Sequence, residues 1–593
     1  MTESEPLNCP HGERCGGCAF LGVPYSEQLT RKHSFVERGM GRYPLLARLK
    51  LAPVAGAVPT QAYRARAKLV FGKDGALGLY ERDSHNVVDI PECRVLSPVL
   101  ARVVAGARRA LSHATPPLDG LDVRLVDDGV LATLIAAQGT PIAELQRLAE
   151  ALREEAREVR SVAASFRETG AATVLGTGHV LLFGEEVSAH HLLEKGPYHL
   201  AAHGAFTQAH IGQANAAHDR IEHALEELGA SRVLELYAGS GALALRLAAA
   251  GFDVTAVEAF GPALAHVERA AREQKLTLRT LNGQAERALR EIDGRSERFQ
   301  ALIVNPPRRG LSSEVRRRAS ALEPSAILYM SCDPGTLARD LSHLSELGYR
   351  AEQLWPFDMI PHSTAVESLV ALRRAALPTP KVLYEHEQWL AVMKSGYEPV
   401  SPEAGFPHSL LERVRMLPGM SQAVPLSVQR LDQDSSGVCL FARTEAVLPA
   451  LEQAFRAGTQ SFVALCRGVT HKRGRIRRPV REGGRVVSAS TRYLRESVRG
   501  GHSLLTVWPE QARPPQLRQL LVGVGHAVLG DTRFGDPASN TYFEHRHGLD
   551  RSFLHCSAVT LISSTSHITC EAPLPGELLT VLANLSEQTT APS

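Results

Sequence analysis

The chain has 593 residues, 44% of them hydrophobic and 22% charged, a balance that excludes global disorder and supplies apolar mass for several cores. No run approaches the roughly 20 consecutive apolar residues of a membrane helix, and the start, Met1 to Pro6, is acidic and polar where a secretory signal is basic and then apolar. The formal net charge of +3 excludes little by itself, but ten of the basic residues lie between Lys472 and Arg499 against only two acids, Glu482 and Glu496, which reads as a polyanion contact or a solvated loop.

The expected compartment is the cytoplasm, where thiols stay reduced. The nine cysteines then read as ligands, nucleophiles or core fillers rather than disulfides. Cys9, Cys15 and Cys18 fall within ten residues, and Cys93 follows much later. Four such thiols form a cage for zinc or for an iron–sulfur cluster, and the spacing alone does not choose between them. Residues 50 to 200 are mixed, with β-like runs such as Lys68-Leu69-Val70-Phe71, and their topology is not derivable.

From about Ser231 to Arg374, strand-like runs alternate with helical stretches, which implies a mostly parallel sheet covered by helices. Arg232 to Tyr237 reads as a buried strand that opens into Ala238-Gly239-Ser240-Gly241. Glycines Gly239 and Gly241 let backbone approach a ligand there. Glu258 ends the next strand, where a carboxylate binds ribose hydroxyls, and the site suits adenosylmethionine, which lacks a phosphate. Three further strand ends carry Asn305-Pro306-Pro307-Arg308-Arg309-Gly310, Ser331-Cys332-Asp333-Pro334 and Ile360 to Glu367. Cys332 lies between a strand and a following helix, where a thiolate is favoured.

Together with Tyr63-Arg64-Ala65-Arg66-Ala67-Lys68 and Phe206-Thr207-Gln208, these motifs make the first 375 residues resemble the TrmA family of RNA 5-methyluridine methyltransferases. The wording of Asn305 to Gly310, and the lack of room for an N-terminal TRAM domain, resemble most the RlmC branch, which acts on 23S rRNA. The resemblance implies a [4Fe-4S] cluster on Cys9, Cys15, Cys18 and Cys93. It also implies adenosylmethionine held by Gln208, Tyr237, Glu258 and Asn305. Asp333 replaces the family's usual asparagine, and Ala238 a common cysteine. The chemistry assigns the rest: C5 of uracil becomes nucleophilic once a thiolate adds to C6, and a base must then remove the C5 proton. Cys332 is expected to be that nucleophile, Glu367 the base, and Arg308 the cation that steadies the developing oxyanion.

The two prolines in Leu377-Pro378-Thr379-Pro380 cannot continue a helix or a central strand, and short β-like runs follow them. Gln429-Arg430-Leu431-Asp432 to Thr444, Gln516-Leu517-Arg518, Gly525 to Asp531 and Leu554-His555 resemble the RluA-type pseudouridine synthases over about residues 380 to 575. The resemblance implies that Asp432 attacks the uridine and that Arg518 supports it. Gln429 replaces the family's histidine, Phe462 a tyrosine that packs on the base, and Gln460 a lysine; the Thr-Gly-Arg-Thr-His-Gln segment reads Glu510 to Gln516 here.

The expected architecture is therefore multidomain, α/β and α+β. It comprises an iron–sulfur region over 1–95, a mixed α/β region over 96–200 and a Rossmann-like class I methyltransferase domain over 201–375. A linker over 376–380 and a mainly antiparallel β, pseudouridine-synthase-like domain over 381–593 follow. The expected partner is RNA, a 23S rRNA hairpin, with no membrane and no obligate protein partner. Three alternatives stand beside this: a methyltransferase with a non-catalytic C-terminal RNA clamp, a tRNA uracil-C5 methyltransferase, and a small-molecule methyltransferase.

Overall fold

The computed structural model describes residues 6–588 apart from 73, 83, 112, 113, 115, 116, 169–175, 177, 419, 421–424, 430, 483, 512, 565 and 586. Met1 to Glu5 and Arg430 of the Arg-Leu-Asp motif thus lie outside the described residues. Among the described residues no helix is long and apolar enough to cross a membrane.

The run Arg232–Leu236 forms the first strand of the large parallel sheet. In spatial order that eight-stranded sheet is Lys50–Leu51, Tyr349–Phe357, Glu367–Arg374, Ala326–Ser331, Ala301–Val304, Arg232–Leu236, Asp253–Glu258 and Arg279–Asn282. Only Glu367–Arg374 runs antiparallel to its neighbours. Ala301–Val304 and Ala326–Ser331 are buried at every position, the apolar pattern of strands covered on both faces. The chain winds outward from Arg232–Leu236 to Arg279–Asn282, then crosses back to Ala301–Val304 on the other side. The crevice beyond the carboxyl ends of these two adjacent strands is the switch point at which such sheets bind ligands.

Residues 25–57 go with this sheet rather than with the cysteine loop that precedes them. Lys50–Leu51 pairs with Tyr349–Phe357, the helix Tyr25–Met40 lies on the helix Pro334–Glu346, and Lys32 forms a fully buried ion pair with Asp358. The central region forms a seven-stranded sheet from Arg66–Phe71 to Val180–Phe183. It is antiparallel except where Gly129–Ala137 and Val159–Arg167, linked by the helix Ile142–Glu155, run parallel.

The C-terminal part is an eleven-stranded sheet, antiparallel except for one parallel pair, Ser436–Ala442 with Leu554–Ile562. Its edge is the long hairpin Arg473–Glu482 and Arg485–Arg499. The basic run is thus regular structure and not a loop: Ile476 and Val480 face the core, while Arg473, Arg477, Arg481 and Arg485 are exposed.

Residues 375–381 join the two halves without regular structure, and Arg413 Nε donates to the Pro378 carbonyl at 3.0 Å. The halves are docked through buried polar groups. Arg316, wholly buried, pairs with Asp340 of its own half and Asp550 of the other. Tyr397 stacks on His343 with ring centres 4.4 Å apart, and its hydroxyl donates to Asp550 Oδ1 at 2.7 Å.

Candidate active site

At the switch point lies a cleft of about 600 Å³. It is lined by Gln208, Tyr237, Gly239, Glu258, Asn305, Arg308, Cys332 and Glu367, which brings eight of the expected residues together from five strand ends and one preceding loop. Tyr237 holds φ +63° directly after Arg232–Leu236, an unusual conformation for a side chain other than glycine and one found at functional sites. Gly239 then turns with φ +56°, and a Cβ there would meet nothing within 4 Å. Its N–H donates to Glu258 Oε2 at 3.0 Å, and the Phe260 N–H donates to Glu258 Oε1 at 2.8 Å. These two backbone donors fix the Glu258 carboxylate at the mouth of the glycine turn.

Gly241 is placed differently from the expectation. It does not line the cleft; a Cβ at this position would lie 2.4 Å from Val267 Cγ2. Gly241 therefore serves the close approach of two helices. Glu235, two residues before Tyr237, also lines the cleft. Its Oε2 is buried without a partner, and burial, then the charge of Glu258, pushes its carboxyl up to about 8. A neutral carboxyl of this kind donates a hydrogen bond to whatever fills the cleft. The signal was present in the sequence as an acid between the apolar residues Leu234 and Leu236 of a buried strand.

Cys332 follows the strand Ala326–Ser331 and precedes the helix Pro334–Glu346. Asp333 caps that helix, accepting from the Thr336 N–H at 2.8 Å, so its carboxylate does the capping work that the family's asparagine would do. Burial, then the charge of Glu367, raises the Cys332 thiol to about 11, and the charge and hydrogen bond of Arg308 oppose this. Burial likewise raises Glu367 to about 7, again opposed by Arg308. One guanidinium thus faces a sulfur and a carboxyl that would otherwise compete for a proton, which is the pairing an addition–elimination reaction needs.

The four N-terminal thiols share a second, smaller cavity, with His11, Arg64 and Lys68 among its other lining residues. The Gly17 N–H points to Cys15 Sγ at 3.4 Å. Burial raises Cys18 to about 12, and its neighbours Cys93 and Cys15 add to the shift. Among the described residues, however, no group of three or more His, Cys, Asp or Glu side chains is arranged to hold a metal ion. The expected cage is present as four thiols around one cavity and not as a closed ligand set.

In the C-terminal sheet, Arg518 lies beneath Asp432 but is committed elsewhere. It holds Asp434 with both terminal nitrogens and the Ser435 hydroxyl at 2.7 Å. Its contact with Asp432 is an ion pair at 3.4 Å. Burial raises the Asp432 carboxyl despite the opposing charge of Arg518, and Asp432 Oδ2 is buried without a hydrogen-bond partner. Lys394, also buried, donates to the Ser435 carbonyl at 2.7 Å and the Gln433 carbonyl at 3.3 Å, shaping the Asp432 loop. Phe462 is fully buried in the core of this sheet and offers no exposed face for a base to stack on.

Residues 193–375 match the family of tRNA (uracil-5-)-methyltransferases, and residues 388–522 match the RNA pseudouridylate synthases. An uncharacterised RNA methyltransferase of Geobacter sulfurreducens is 28% identical over 62% of this chain and 76% of its own length. Another, of Caldanaerobacter subterraneus, is 26% identical over 62% and 84%. Among solved structures, the Pyrococcus abyssi tRNA (uracil-54, C5)-methyltransferase in complex with S-adenosyl-L-homocysteine is 21% identical, with a TM-score of 0.48 over 62% of this chain and 87% of that one. Human RNA pseudouridylate synthase domain containing 1 is 22% identical, with a TM-score of 0.31 over 36% and 91%.

Proposed function

We propose, for a chain whose residues 193–375 belong with the tRNA (uracil-5-)-methyltransferases and whose residues 388–522 belong with the RNA pseudouridylate synthases, that it methylates C5 of a uridine in RNA, with a hairpin of 23S rRNA as the target. The observation that carries this reading is the convergence of Cys332, Glu367 and Arg308 in the cleft that also presents Gly239 and Glu258. Adenosylmethionine supplies an electrophilic methyl group. The apolar walls of the cleft, the fixed Glu258 carboxylate and the neutral Glu235 suit its adenosine and its lack of phosphate. Gln208, Tyr237 and Asn305 are the further residues we assign to it.

The remaining steps belong to the chain's own residues. The uridine leaves its stack to reach the cleft. Cys332 Sγ, as thiolate, adds to C6; the electron pair moves to O4, where Arg308 balances the charge; C5 then takes the methyl group. Glu367 removes the C5 proton, C5=C6 re-forms and the C6–S bond breaks, returning the thiolate. Cys332→Ala should abolish 5-methyluridine formation while adenosylmethionine affinity stays within about twofold. Glu367→Gln should accumulate a covalent protein–RNA adduct on denaturing gels, since addition proceeds and elimination stalls. Normal 5-methyluridine yield from either variant overturns these roles.

We assign Cys9, Cys15, Cys18 and Cys93 to a [4Fe-4S] cluster, because four thiols line one cavity and four thiolates are the ligand set such a cluster takes. The methyl transfer needs no electrons, so the role is structural. Protein purified without oxygen should be brown and contain iron and sulfide, and Cys15→Ser should bleach it; colourless protein with one zinc overturns the assignment. For the C-terminal half, the buried Phe462 and the commitment of Arg518 to Asp434 favour RNA holding over turnover. Pseudouridine appearing in RNA with the wild-type protein, and not with Asp432→Asn, overturns that second reading.

A further inference from the structure

A polar cavity of about 160 Å³ opens between the two halves of the chain, beside the methyl-transfer cleft. One wall is Arg308, Asp333 and Thr336; the other is the last turn of the helix Pro537–His547, with His545, Arg546 and His547. Arg308 is the side chain that lines both this cavity and the catalytic cleft. Two carboxylates also face the cavity, but each is engaged: Asp333 caps its helix through the Thr336 N–H, and Glu577 pairs with Arg551 at 2.6 Å. Arg546 is exposed, and His547 Nδ1 is buried without a hydrogen-bond partner, while Arg308 is exposed and also faces Cys332 and Glu367.

The junction is also built, and not merely adjacent. Arg339, buried and paired with Asp340, donates from Nη1 to the Gly548 carbonyl at 2.7 Å and from Nη2 to the Arg309 carbonyl at 2.9 Å. One guanidinium therefore clamps the loop that carries Arg308 to the end of the helix that carries Arg546. Arg309 Nη1 in turn meets His545 Nε2 at 3.0 Å.

The geometry points to a composite site in which the C-terminal half completes the RNA path of the methyltransferase: Arg546 and His547 take the phosphodiester next to the uridine that enters the Cys332 cleft. Cation-rich and polar, and sharing Arg308 with the catalytic cleft, the cavity suits a backbone phosphate and not a base. A nucleotide flipped into the cleft carries its flanking phosphates to the cleft's rim, where Arg308 already stands. The inference rests on the methyl-transfer reading and adds to it a specific contribution from the other half of the chain.

The test uses the full-length protein and a fluorescent uridine-containing RNA hairpin. Arg546→Glu is exposed and leaves packing intact; His547→Gln is the second variant. Hairpin affinity is measured by anisotropy across a salt series, and methyl transfer is measured in parallel. Arg546→Glu should weaken binding about tenfold and reduce the slope of log K against log salt by about 0.7–0.9, the loss of one phosphate contact. The KM for RNA should rise, with kcat and adenosylmethionine affinity nearly unchanged. Unchanged affinity and slope in both variants overturns the composite site, even if the hairpin is methylated. Conversely, weakened binding with no methylation by the wild type on any uridine RNA supports the composite site and overturns the methyl-transfer reading instead.

Discussion

Cys332, Glu367 and Arg308 form one electrostatic unit, and its members predict each other's titration. The carboxylate of Glu367 raises the thiol while Arg308 lowers it, and burial sets the resting value at about 11. Removing the carboxylate charge by Glu367→Gln should therefore shift the thiol downward, and removing the cation by Arg308→Ala should shift it upward. The measurement is the pH dependence of iodoacetamide alkylation at Cys332, followed by mass spectrometry with the protein free of RNA. For Glu367→Gln the alkylation midpoint should fall by about one unit, the scale expected of a like charge at contact range. Identical midpoints in wild type and both variants would mean that the three groups do not share one field. Methyl transfer should correspondingly rise as pH rises from 6 to 9, since the thiolate fraction grows throughout that range. Arg308→Lys should retain part of the effect, because the charge persists while the planar fork is lost.

The elements that carry these side chains are positioned by close approaches that leave no space. Gly310 ends the loop after Ala301–Val304 with φ +76°, and a Cβ there would lie 2.4 Å from Asp340 Oδ2 and 2.8 Å from Arg339 Nη2. That oxygen also accepts from the Leu311 N–H at 2.7 Å and the Tyr329 hydroxyl at 2.6 Å. Gly310→Ala should displace the loop and hence Arg308, cutting methyl transfer by roughly 100-fold, the scale of a 1 Å misplacement. Thermal stability should fall by only about 1–3 kcal/mol; unaltered kcat would sink the idea that this glycine sets the Arg308 position. The strand–turn–helix rhythm that presents these loops was legible, because parallel strands buried on both faces read as continuous apolar runs. What was not legible is which glycine opens onto the cleft and which packs against protein. Gly239 and Gly241 have the same local sequence signature, and only Val267, 26 positions beyond Gly241 in sequence, decides between them. The same limit hid the strand Lys50–Leu51, whose partner strand Tyr349–Phe357 lies some 300 residues away, and the hairpin form of the basic run, whose inward Ile476 and Val480 are few among many arginines.

At the scale of the whole molecule, a proline-marked boundary near residue 378 separates two units with their own sheets, yet the units are not beads on a tether. Arg316 bridges Asp340 and Asp550 wholly out of water, and Tyr397 closes the group from the C-terminal side. Nothing in local periodicity marks such a contact, since Arg316 and Asp550 are 234 positions apart. Burial raises the Asp550 carboxyl but the charges of Arg316 and Arg339 outweigh it, so its titration in the folded chain lies below the ordinary aspartate value. A group of that sign stabilises the docked state above the unfolded-state value of about 4 and loses that contribution as the pH falls through the lower, folded value. Docking should accordingly persist through the neutral range and weaken only in acid. Asp550→Ala leaves Arg316 with one carboxylate in place of two, and should cost about 3–5 kcal/mol, as removal of one partner from a buried ion group does. Because that cost falls on the junction and not on either core, calorimetry at pH 7 should resolve two unfolding transitions for the variant and one for the wild type. Asp550→Asn keeps an acceptor for the Tyr397 hydroxyl and should give an intermediate profile. A single transition at the wild-type temperature for Asp550→Ala would show that the two halves are held together by something other than this buried group.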